Sequence, residues 1–461
     1  MFRVGAGLAL FKLIISLAVL ATGYEGVSDD DYARVVIAQQ FAHAPALDPS
    51  GTSWLPLPFW INGGAMLAFG THPIVARAVA VVLGIASILL IRVAAGYLTR
   101  DPREAFVATV IAAIMPWSAR LGVSMVPELP AAACSLFAIA TLSKQAPPRA
   151  RLAGAIALLC ACLSRYEAWF IAIAFAGVCV RDAIHADRRL VSIASAALPL
   201  AGPITWTVWN ERAHGSYFHY LDSVAAYKDA VDQGALGERV FAYVFAAFRA
   251  EPELLLLFVL LCWRMFAGRR SVVRAELASF FRPTLMVAFL FVALTASSIR
   301  GGAPTHHPER ALLSMHLLLA IVTGALLVRV YRERRFGDMR RVLIGTLAIA
   351  PLFYMLRFWV LYREAFAHRK EELAIGRRIA DTIAIDERVL YPSPPDYGHY
   401  AIQAGSGRPW QFDVRHSPGG ARYLLLTGEA AYLNGATAVF CDAGPSKTRP
   451  GFPVCLYAVD P

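Results

Sequence analysis

Long apolar runs alternate with short polar stretches along most of the chain. A helix needs about 20 residues to cross roughly 30 Å of hydrocarbon, and apolar runs of this kind recur throughout. The pattern predicts an α-helical polytopic membrane protein with about eleven transmembrane helices. The predicted spans are residues 4–22, 73–98, 104–118, 122–143, 152–164, 168–180, 190–209, 252–267, 284–299, 311–330 and 341–360. We interpret the first as an anchor and not as a cleaved signal peptide, because no clean cleavage site follows Gly23.

The arginine-rich turns between these runs predict the orientation of the chain. With the N-terminus in the cytoplasm, every such turn lies on the cytoplasmic side, as the positive-inside rule requires. The turns include Arg100 and Arg103, Arg149 and Arg151, Arg188 and Arg189, Arg269 and Arg270, and Arg334 and Arg335. Because such clusters flank residues 152–180 on both sides, this stretch is predicted to hold two short segments that meet at an outer turn. Each is about 20 Å long, so we expect the turn to lie below the membrane surface in a protein-lined cavity.

The pattern changes at about residue 361. EELAIGRRIADTI has the periodicity of an amphipathic helix, and RVLYPS, RYLLLT, TAVFCD and PVCLYAV are strand-like runs separated by glycine and proline. We therefore divide the chain into a transmembrane part, residues 1–360 with a first outer loop at 23–72, and a small extracytoplasmic α/β domain, residues 361–461. Cys441 and Cys455 lie in this tail, and an oxidising compartment would let them pair, although their spacing alone does not decide it.

Composition agrees with a membrane protein and argues against nucleic acid as a partner. Hydrophobic residues make up 57% of the 461 residues and charged residues only 17%, whereas a soluble domain carries roughly 25% charged residues. The net charge of +11 comes mostly from arginines between apolar runs, which is the distribution that orients membrane proteins. We therefore expect the chain to contact the lipids of the plasma (inner) membrane and to bind no nucleic acid.

Three consecutive carboxylates follow the first span. Asp29, Asp30 and Asp31 lie in YEGVSDDDYARVVIAQQF, whose second half has a helical pattern. Aspartates are favoured at the N-terminus of a helix, where they can cap free amides. A structural role therefore explains this cluster as well as a functional one does.

Charged residues also occur within or next to the apolar runs. Arg165 and Glu167 belong to SRYEA at the predicted outer turn, and Glu128 belongs to VSMVPELPAAA. Ionisable residues at membrane depth are expensive to bury and indicate a functional site by default. A structural pair of arginine and glutamate is the competing interpretation.

A short outer loop between the ninth and tenth predicted spans collects further polar residues. RGGAPTHHPERALL contains His306, His307, Glu309 and Arg310. Two adjacent histidines are poor evidence for a metal, because metal-binding pairs on a helix are four residues apart. Arginine can bind a phosphate through two parallel hydrogen bonds and histidine can donate a proton, so this loop suits a phosphate better.

These motifs follow one another in a recognisable order. The acidic motif after the first span is followed by WLPLP, SRYE and HPER, and a soluble outer domain closes the chain. This order resembles that of the GT-C superfamily of integral-membrane glycosyltransferases, which includes protein O-mannosyltransferases and the lipid A aminoarabinose transferase. The resemblance covers nearly the whole chain in layout, through motifs that are individually short.

The resemblance implies a glycosyltransferase. Such an enzyme, a hexosyl- or pentosyltransferase, would move a sugar from a polyprenyl-phosphate donor to a hydroxyl of a lipid, glycan or protein acceptor. The family's acidic pair falls on Asp29 and Asp30, and a shifted register would move the role of the base to Asp31. The implied site comprises the candidate catalytic residues Asp29, Asp30 and Asp31, the phosphate-binding residues Arg165, His306, His307 and Arg310, and the supporting residues Glu128, Glu167 and Glu309.

Two other classes of function, and the question of a metal, stay open. A transporter or flippase for a lipid-linked sugar would also need buried charge, although the sequence shows no inverted repeat. A receptor or scaffold built on the outer domain would leave Arg165 without a role. No cofactor is certain from the sequence, and a divalent cation that bridges the aspartates would be Mg²⁺ or Mn²⁺, because oxygen ligands favour these ions.

Overall fold

A computed structural model of the chain shows a predominantly helical protein. It describes residues 2–51, 54–143, 145–147, 149–185, 189–231, 236–268, 280–300, 307–332, 368–392, 397–414, 422–427, 436–442 and 453–459. Among the described residues, sixteen α-helices precede residue 333. They are α1 (Phe2–Ala21), α2 (Asp30–His43), α3 (Leu57–Phe69), α4 (Pro73–Leu98), α5 (Pro102–Ile114), α6 (Pro116–Leu121), α7 (Glu128–Thr141), α8 (Ala150–Cys162), α9 (Glu167–His185), α10 (Arg189–His214), α11 (His219–Val231), α12 (Leu236–Ala250), α13 (Pro252–Gly268), α14 (Phe281–Ile299), α15 (Pro308–Ala311) and α16 (Leu313–Arg332).

The helices coincide with most of the predicted spans. Among the described residues, α1, α4, α10, α14 and α16 contain stretches long and apolar enough to cross a membrane, and shorter apolar helices include α3, α7, α8 and α13. The predicted polytopic helical architecture is confirmed, whereas the number of crossings stays a prediction. The last predicted span, 341–360, and the predicted domain boundary at residue 360 lie outside the described residues.

Prolines alter the limits of two predicted spans. The run 104–118 is not one helix, because α5 ends at Ile114 and α6 begins at Pro116. Proline lacks an amide hydrogen and disfavours a helical conformation in the residue before it, so Met115 leaves the helix. The run 122–143 becomes helical only at Glu128, directly after Pro127. The intervening segment, residues 122–127, is buried non-helical backbone.

The predicted turn at Arg165 is confirmed, but only the helix before it is short: α8 has 13 residues, whereas α9 has 19. The outer position of the turn stays a prediction. α8 ends at Cys162 and α9 begins at Glu167, so Arg165 lies in the turn. The Arg165 amide donates to Ala161 O at 2.9 Å, and the Trp169 indole donates to Cys162 O at 2.9 Å. These bonds satisfy carbonyls that the end of a helix leaves free, and they fix the direction in which the turn presents its side chains.

Ion pairs tie the helices together at the end opposite to this turn. Arg329 of α16 forms two hydrogen bonds of 2.9 Å with Glu104 of α5. The two helices also pack closely, because a Cβ added at Gly324 would lie 2.5 Å from the Cα atom of Ala108. This end of the body is therefore closed by direct packing and paired charge.

The described C-terminal residues form two α-helices, a short 3-10 helix (Pro409–Gln411) and a mixed sheet. α17 (Lys370–Thr382) is the predicted amphipathic helix, whereas α18 (His399–Ser406) did not emerge from the sequence pattern. The strands are β1 (Val389–Leu390), β2 (Phe412–Asp413), β3 (Tyr423–Thr427), β4 (Ala436–Asp442) and β5 (Val454–Val459), in the order β2-β1-β3-β5-β4. β1 is parallel to β2 and β3, whereas β5 is antiparallel to β3 and β4. Cys441 and Cys455 are opposite each other on β4 and β5 and form a disulfide.

The C-terminal residues pack directly against α2, the helix that follows the acidic cluster. Gln39 of α2 donates to Thr71 O at 2.8 Å and to Ala404 O of α18 at 2.9 Å. Tyr32 and Ala401 belong to one small apolar cluster at this contact. As a result, α2 is held between the helical body and the C-terminal sheet region.

Candidate active site

The three aspartates have different environments, and Asp31 is the buried one. Its Oδ1 atom accepts from the Met125 amide at 2.7 Å, and its Oδ2 atom accepts from the Val27 amide at 2.9 Å. Burial raises the pKa of Asp31, while Arg77 and these amides act in the opposite direction. Asp31 thus ties the start of α2 to the non-helical segment before α7, which is what the structural interpretation of the cluster expects.

Asp29 faces the C-terminal residues. Its carboxylate forms a bidentate ion pair with Arg369, with Oδ1 to Nε at 2.9 Å and Oδ2 to Nη2 at 3.1 Å. A bidentate pair of this kind is the strongest geometry available to an arginine and a carboxylate. Asp29 is therefore already occupied by a protein partner.

Asp30 lies next to Arg310, but the two side chains are not hydrogen-bonded. Its Oδ2 atom is 3.7 Å from Nη1 of Arg310, and its side chain is 34% exposed. At that separation the pair is electrostatic and is longer than a hydrogen bond. The Asp30 carboxylate can therefore still receive a ligand.

Behind Asp30, a buried cluster of charges joins three parts of the chain. Oε1 of Glu128 lies 3.3 Å from Nη1 of Arg165 and 3.8 Å from Nη1 of Arg310. Arg165 is also held by Glu167 through hydrogen bonds of 3.1 and 2.5 Å. The side chains of Glu128 and Arg310 are 2% and 3% exposed, so the cluster lies inside the protein.

The members of this cluster lie at or near the first residues of helices. Glu128 is the first residue of α7, and Glu167 is the first residue of α9. The N-terminus of a helix carries partial positive charge, which stabilises a carboxylate there. Arg310 belongs to the single turn α15, which begins at Pro308, a residue suited to the first helical position.

These residues line a small cavity. Its charged wall is the cluster at the starts of α7 and α9, and an apolar wall follows the same helices deeper into the body. The lining residues are Glu128, Ala131, Ala132, Ser135, Arg165, Glu167, Ala168, Ile171, Arg310, Ala311 and Ser314. The cavity therefore has a charged side and an apolar side.

Two polar atoms of the charged wall have no hydrogen-bond partner within the described residues. They are Nε of Arg310 and Oε2 of Glu128, and both are buried. Buried polar atoms are nearly always paired, because leaving one unpaired costs about 1–3 kcal/mol. An unpaired donor and an unpaired acceptor on one cavity wall can be satisfied by a ligand or by water.

The sequence patterns did not single out Arg34, which is 8% exposed and lies four residues after Asp30 on α2. Its guanidinium lies over the Trp54 ring, 4.6 Å from the centroid, within the WLPLP segment. Asp30, Glu128 and Arg165 all act electrostatically on Arg34. An arginine four residues from an aspartate is also the ordinary pattern of a solvated helix surface, so the sequence carried no signal that singled out Arg34.

The remaining predicted residues lie elsewhere. Glu309 pairs with Arg249 at 2.8 Å, and the Arg249 side chain is 81% exposed. His307 is half-buried ahead of α15 and is not among the described residues that line the cavity. His306 lies outside the described residues. The structure thus brings Glu128, Arg165, Glu167 and Arg310 together around one cavity.

A metal site is not assembled by the part of the chain that the structure describes. No three His, Cys, Asp or Glu side chains there could together hold a metal ion. The divalent cation considered for the aspartates stays a prediction of the sequence.

The apolar helices and the C-terminal sheet define the fold of a polytopic helical membrane protein. Two similar solved structures are those of ArnT from Cupriavidus metallidurans, one bound to undecaprenyl phosphate and one in the apo state. Each has a TM-score of 0.61 and 14% sequence identity, and the match covers 99% of this chain and 97% of the ArnT chain. No model of a protein family matches the chain, and no curated protein matches it. ArnT is a lipid A aminoarabinose transferase of the GT-C type, so the resemblance inferred from the order of motifs is confirmed for the fold.

Proposed function

We propose that the protein transfers a sugar from a polyprenyl-phosphate donor to an acceptor hydroxyl on the outer side of the membrane. The observation that carries the proposal is the unpartnered pair of atoms, Nε of Arg310 and Oε2 of Glu128, on a cavity with an apolar wall. A polyprenyl-phosphate sugar combines an oxyanion, hydroxyl groups and an apolar chain. The likeness to ArnT, which has been crystallised with undecaprenyl phosphate, supports the same class of ligand.

The cations of the cluster would bind the phosphate that leaves. Transfer breaks the bond between the anomeric carbon and a phosphate oxygen, so negative charge develops on the phosphate. Arg310 and Arg165 are fixed donors in a buried site, where stabilisation of developing charge is strongest. Glu128 holds both arginines through Oε1 and leaves Oε2 to accept from a sugar hydroxyl.

Asp30 is the aspartate best placed to act as the general base. The acceptor hydroxyl forms the new bond to the anomeric carbon and gives up its proton, which a nearby carboxylate can take. Asp29 is occupied by Arg369, and Asp31 is occupied by backbone amides. Asp30 is next to Arg310 and accessible, so it can meet an acceptor that arrives beside the donor phosphate.

The site would open outside the cytoplasm in the plasma (inner) membrane. The pair of Asp29 and Arg369 supports a C-terminal domain on the same side as the first outer loop. The disulfide of Cys441 and Cys455 suits an oxidising compartment. A reporter enzyme that works only outside the cytoplasm should be active after Pro461 and silent after Arg335, and the reverse result would contradict this orientation.

The function is tested by sugar transfer from synthetic polyprenyl-phosphate donors, carrying hexoses or pentoses, to added acceptors by purified protein in detergent. Loss of one charge-assisted contact costs about 1.5–3 kcal/mol, so Arg310→Ala should lower the rate by about 10- to 150-fold. Arg310→Lys keeps the charge but loses the planar fork, so its rate should fall between those of wild type and Arg310→Ala.

A matched control is Arg249→Ala, which removes an exposed arginine that contacts the same short helix through Glu309. Its rate should stay near that of wild type. A wild-type protein that transfers no sugar from any donor would contradict the proposal and would favour a flippase, which forms no product in detergent. Transfer that ignores both Arg310 and Arg165 would refute their assigned role.

A further inference from the structure

The C-terminal part of the chain contributes a buried arginine to the acidic segment. Arg369 directly precedes α17, and its side chain is 2% exposed. Its Nε and Nη2 atoms bind Asp29, and its Nη1 atom donates to Glu372 at 2.8 Å. Its backbone amide donates to Glu25 Oε2 at 2.7 Å. One guanidinium and its own amide thus engage three carboxylates.

The position of Arg369 would be energetically unfavourable without its carboxylate partners. It is the residue that caps the N-terminus of α17, where partial positive charge disfavours a cation. Burial adds the cost of desolvating the guanidinium. Glu372 in the first turn offsets part of this cost, and the bidentate pair with Asp29 offsets more. The arginine is therefore held where it is by contacts to the acidic segment.

The contact with Asp29 reaches the proposed base through the backbone. Asp29 caps α2, and Asp30 is the first residue of that helix. Immobilising the Asp29 carboxylate therefore fixes the backbone that aims Asp30 at Arg310, 3.7 Å away. Gln39, near the other end of α2, is bonded to Ala404 of α18. The C-terminal part thus contacts α2 near both of its ends.

We propose that Arg369 is a positioning residue for sugar transfer, which makes the C-terminal part of the chain a component of the catalytic centre. It acts through Asp29, which it orients and neutralises, and it does not contact the donor. This inference rests on the proposed function. It assigns Asp29 the role of a link between Arg369 and Asp30.

The test compares kcat and the KM for the donor in the purified full-length protein. A displacement of about 1 Å in a reacting group can cost about 100-fold in rate. Arg369→Ala should therefore lower kcat by about 10- to 100-fold and leave the KM within about threefold. Arg369→Lys keeps the charge without the fork and should be intermediate. Arg377→Ala, on the exposed side of α17, is the matched control and should match wild type.

Asp29→Asn shows whether Arg369 acts through Asp29. In that background Arg369→Ala should cause little further loss of kcat, because residues that act through one contact are not additive. If the losses of kcat in Asp29→Asn and Arg369→Ala multiply in the double variant, the inference is overturned. An unchanged kcat in Arg369→Ala, or an effect confined to KM, would also overturn it. An inactive Asp29→Asn protein would make Asp29 a reacting group and would also overturn it. If Arg369→Ala does not fold, Arg369→Lys decides by the same criteria.

Wild-type activity separates this inference from the proposed function. A wild-type protein that transfers sugar, together with a fully active Arg369→Ala variant, would overturn only the role of Arg369. A wild-type protein without transfer from any donor would overturn the proposed function and this inference with it.

Discussion

The two ends of the helical body both contain arginines and carboxylates, but they pair them differently. At the end with the arginine-rich turns, Arg329 and Glu104 share two hydrogen bonds of 2.9 Å. At the other end, Arg310 approaches Asp30 and Glu128 only to 3.7 and 3.8 Å. The first pair is closed, whereas the second leaves hydrogen-bonding capacity unused.

The difference separates a charge that is fully paired within the protein from one that can still bind a ligand. Both arginines are largely buried, so burial does not distinguish them. In a closed pair, both side chains form their hydrogen bonds within the protein, and the pair adds rigidity. The open cluster keeps an unpaired donor and an unpaired acceptor beside a cavity, and a ligand can complete it.

The largest effect is expected at Asp30. Asp30→Asn removes the proposed base and should lower the transfer rate by about 10²- to 10⁴-fold, with an unchanged melting temperature. Asp101→Asn, which alters a carboxylate at the closed end, should leave the rate near that of wild type. Full activity in Asp30→Asn would exclude it as the base.

The next prediction compares Arg329→Met with Arg310→Met: the first should lose more stability and the second more transfer activity. Arg329→Met leaves Glu104 buried without its partner and should destabilise the protein by about 3 kcal/mol. Arg310→Met breaks only loose pairs and should destabilise it less, yet it should lose most transfer activity. Thermal unfolding in detergent, followed alongside the transfer rate, measures both. A protein in which Arg310→Met is the less stable variant would contradict the contrast between the two ends.

Ligand binding should close the open cluster. Undecaprenyl phosphate at 100 times its dissociation constant should stabilise the wild-type protein by about 2.7 kcal/mol. The gain, measured as a rise in melting temperature, should disappear in Arg310→Ala and persist in Arg329→Lys. An equal gain in Arg310→Ala would place the phosphate elsewhere.

The smallest effect is expected at an exposed pair near the open cluster. Arg249 is paired with Glu309 but is mostly in solvent, so Arg249→Ala should change stability by less than about 1 kcal/mol. Its melting temperature and transfer rate should both stay close to wild type. A large loss of activity would mean that Glu309 supports the site through this pair.

Much of the fold could be predicted because bilayer thickness and arginine distribution constrain it strongly. The turn at Arg165 followed from arginine clusters alone, although α9 is longer than predicted. The break at Met115 was missed, because one proline in a long apolar run has little effect on a hydropathy pattern. Helix α18 was missed because it has only eight residues.

The candidate site was predictable where charge interrupts an apolar run, as at Glu128, Arg165 and Arg310. Arg34 and Arg369 were missed because each lies within a few residues of other charged side chains, where an arginine looks like an ordinary surface residue. Their burial depends on tertiary contacts, with Trp54 for Arg34 and with Asp29 for Arg369. No local pattern indicates such contacts.

The pair of Asp29 and Arg369 also bears on how the protein is made. The two residues are 340 positions apart, and a chain is synthesised from its N-terminus at roughly 5–20 residues per second. The acidic segment therefore waits for tens of seconds, while the helices between are made, before its arginine leaves the ribosome. It follows that the acidic segment reaches its final arrangement only after nearly the whole chain has been translated.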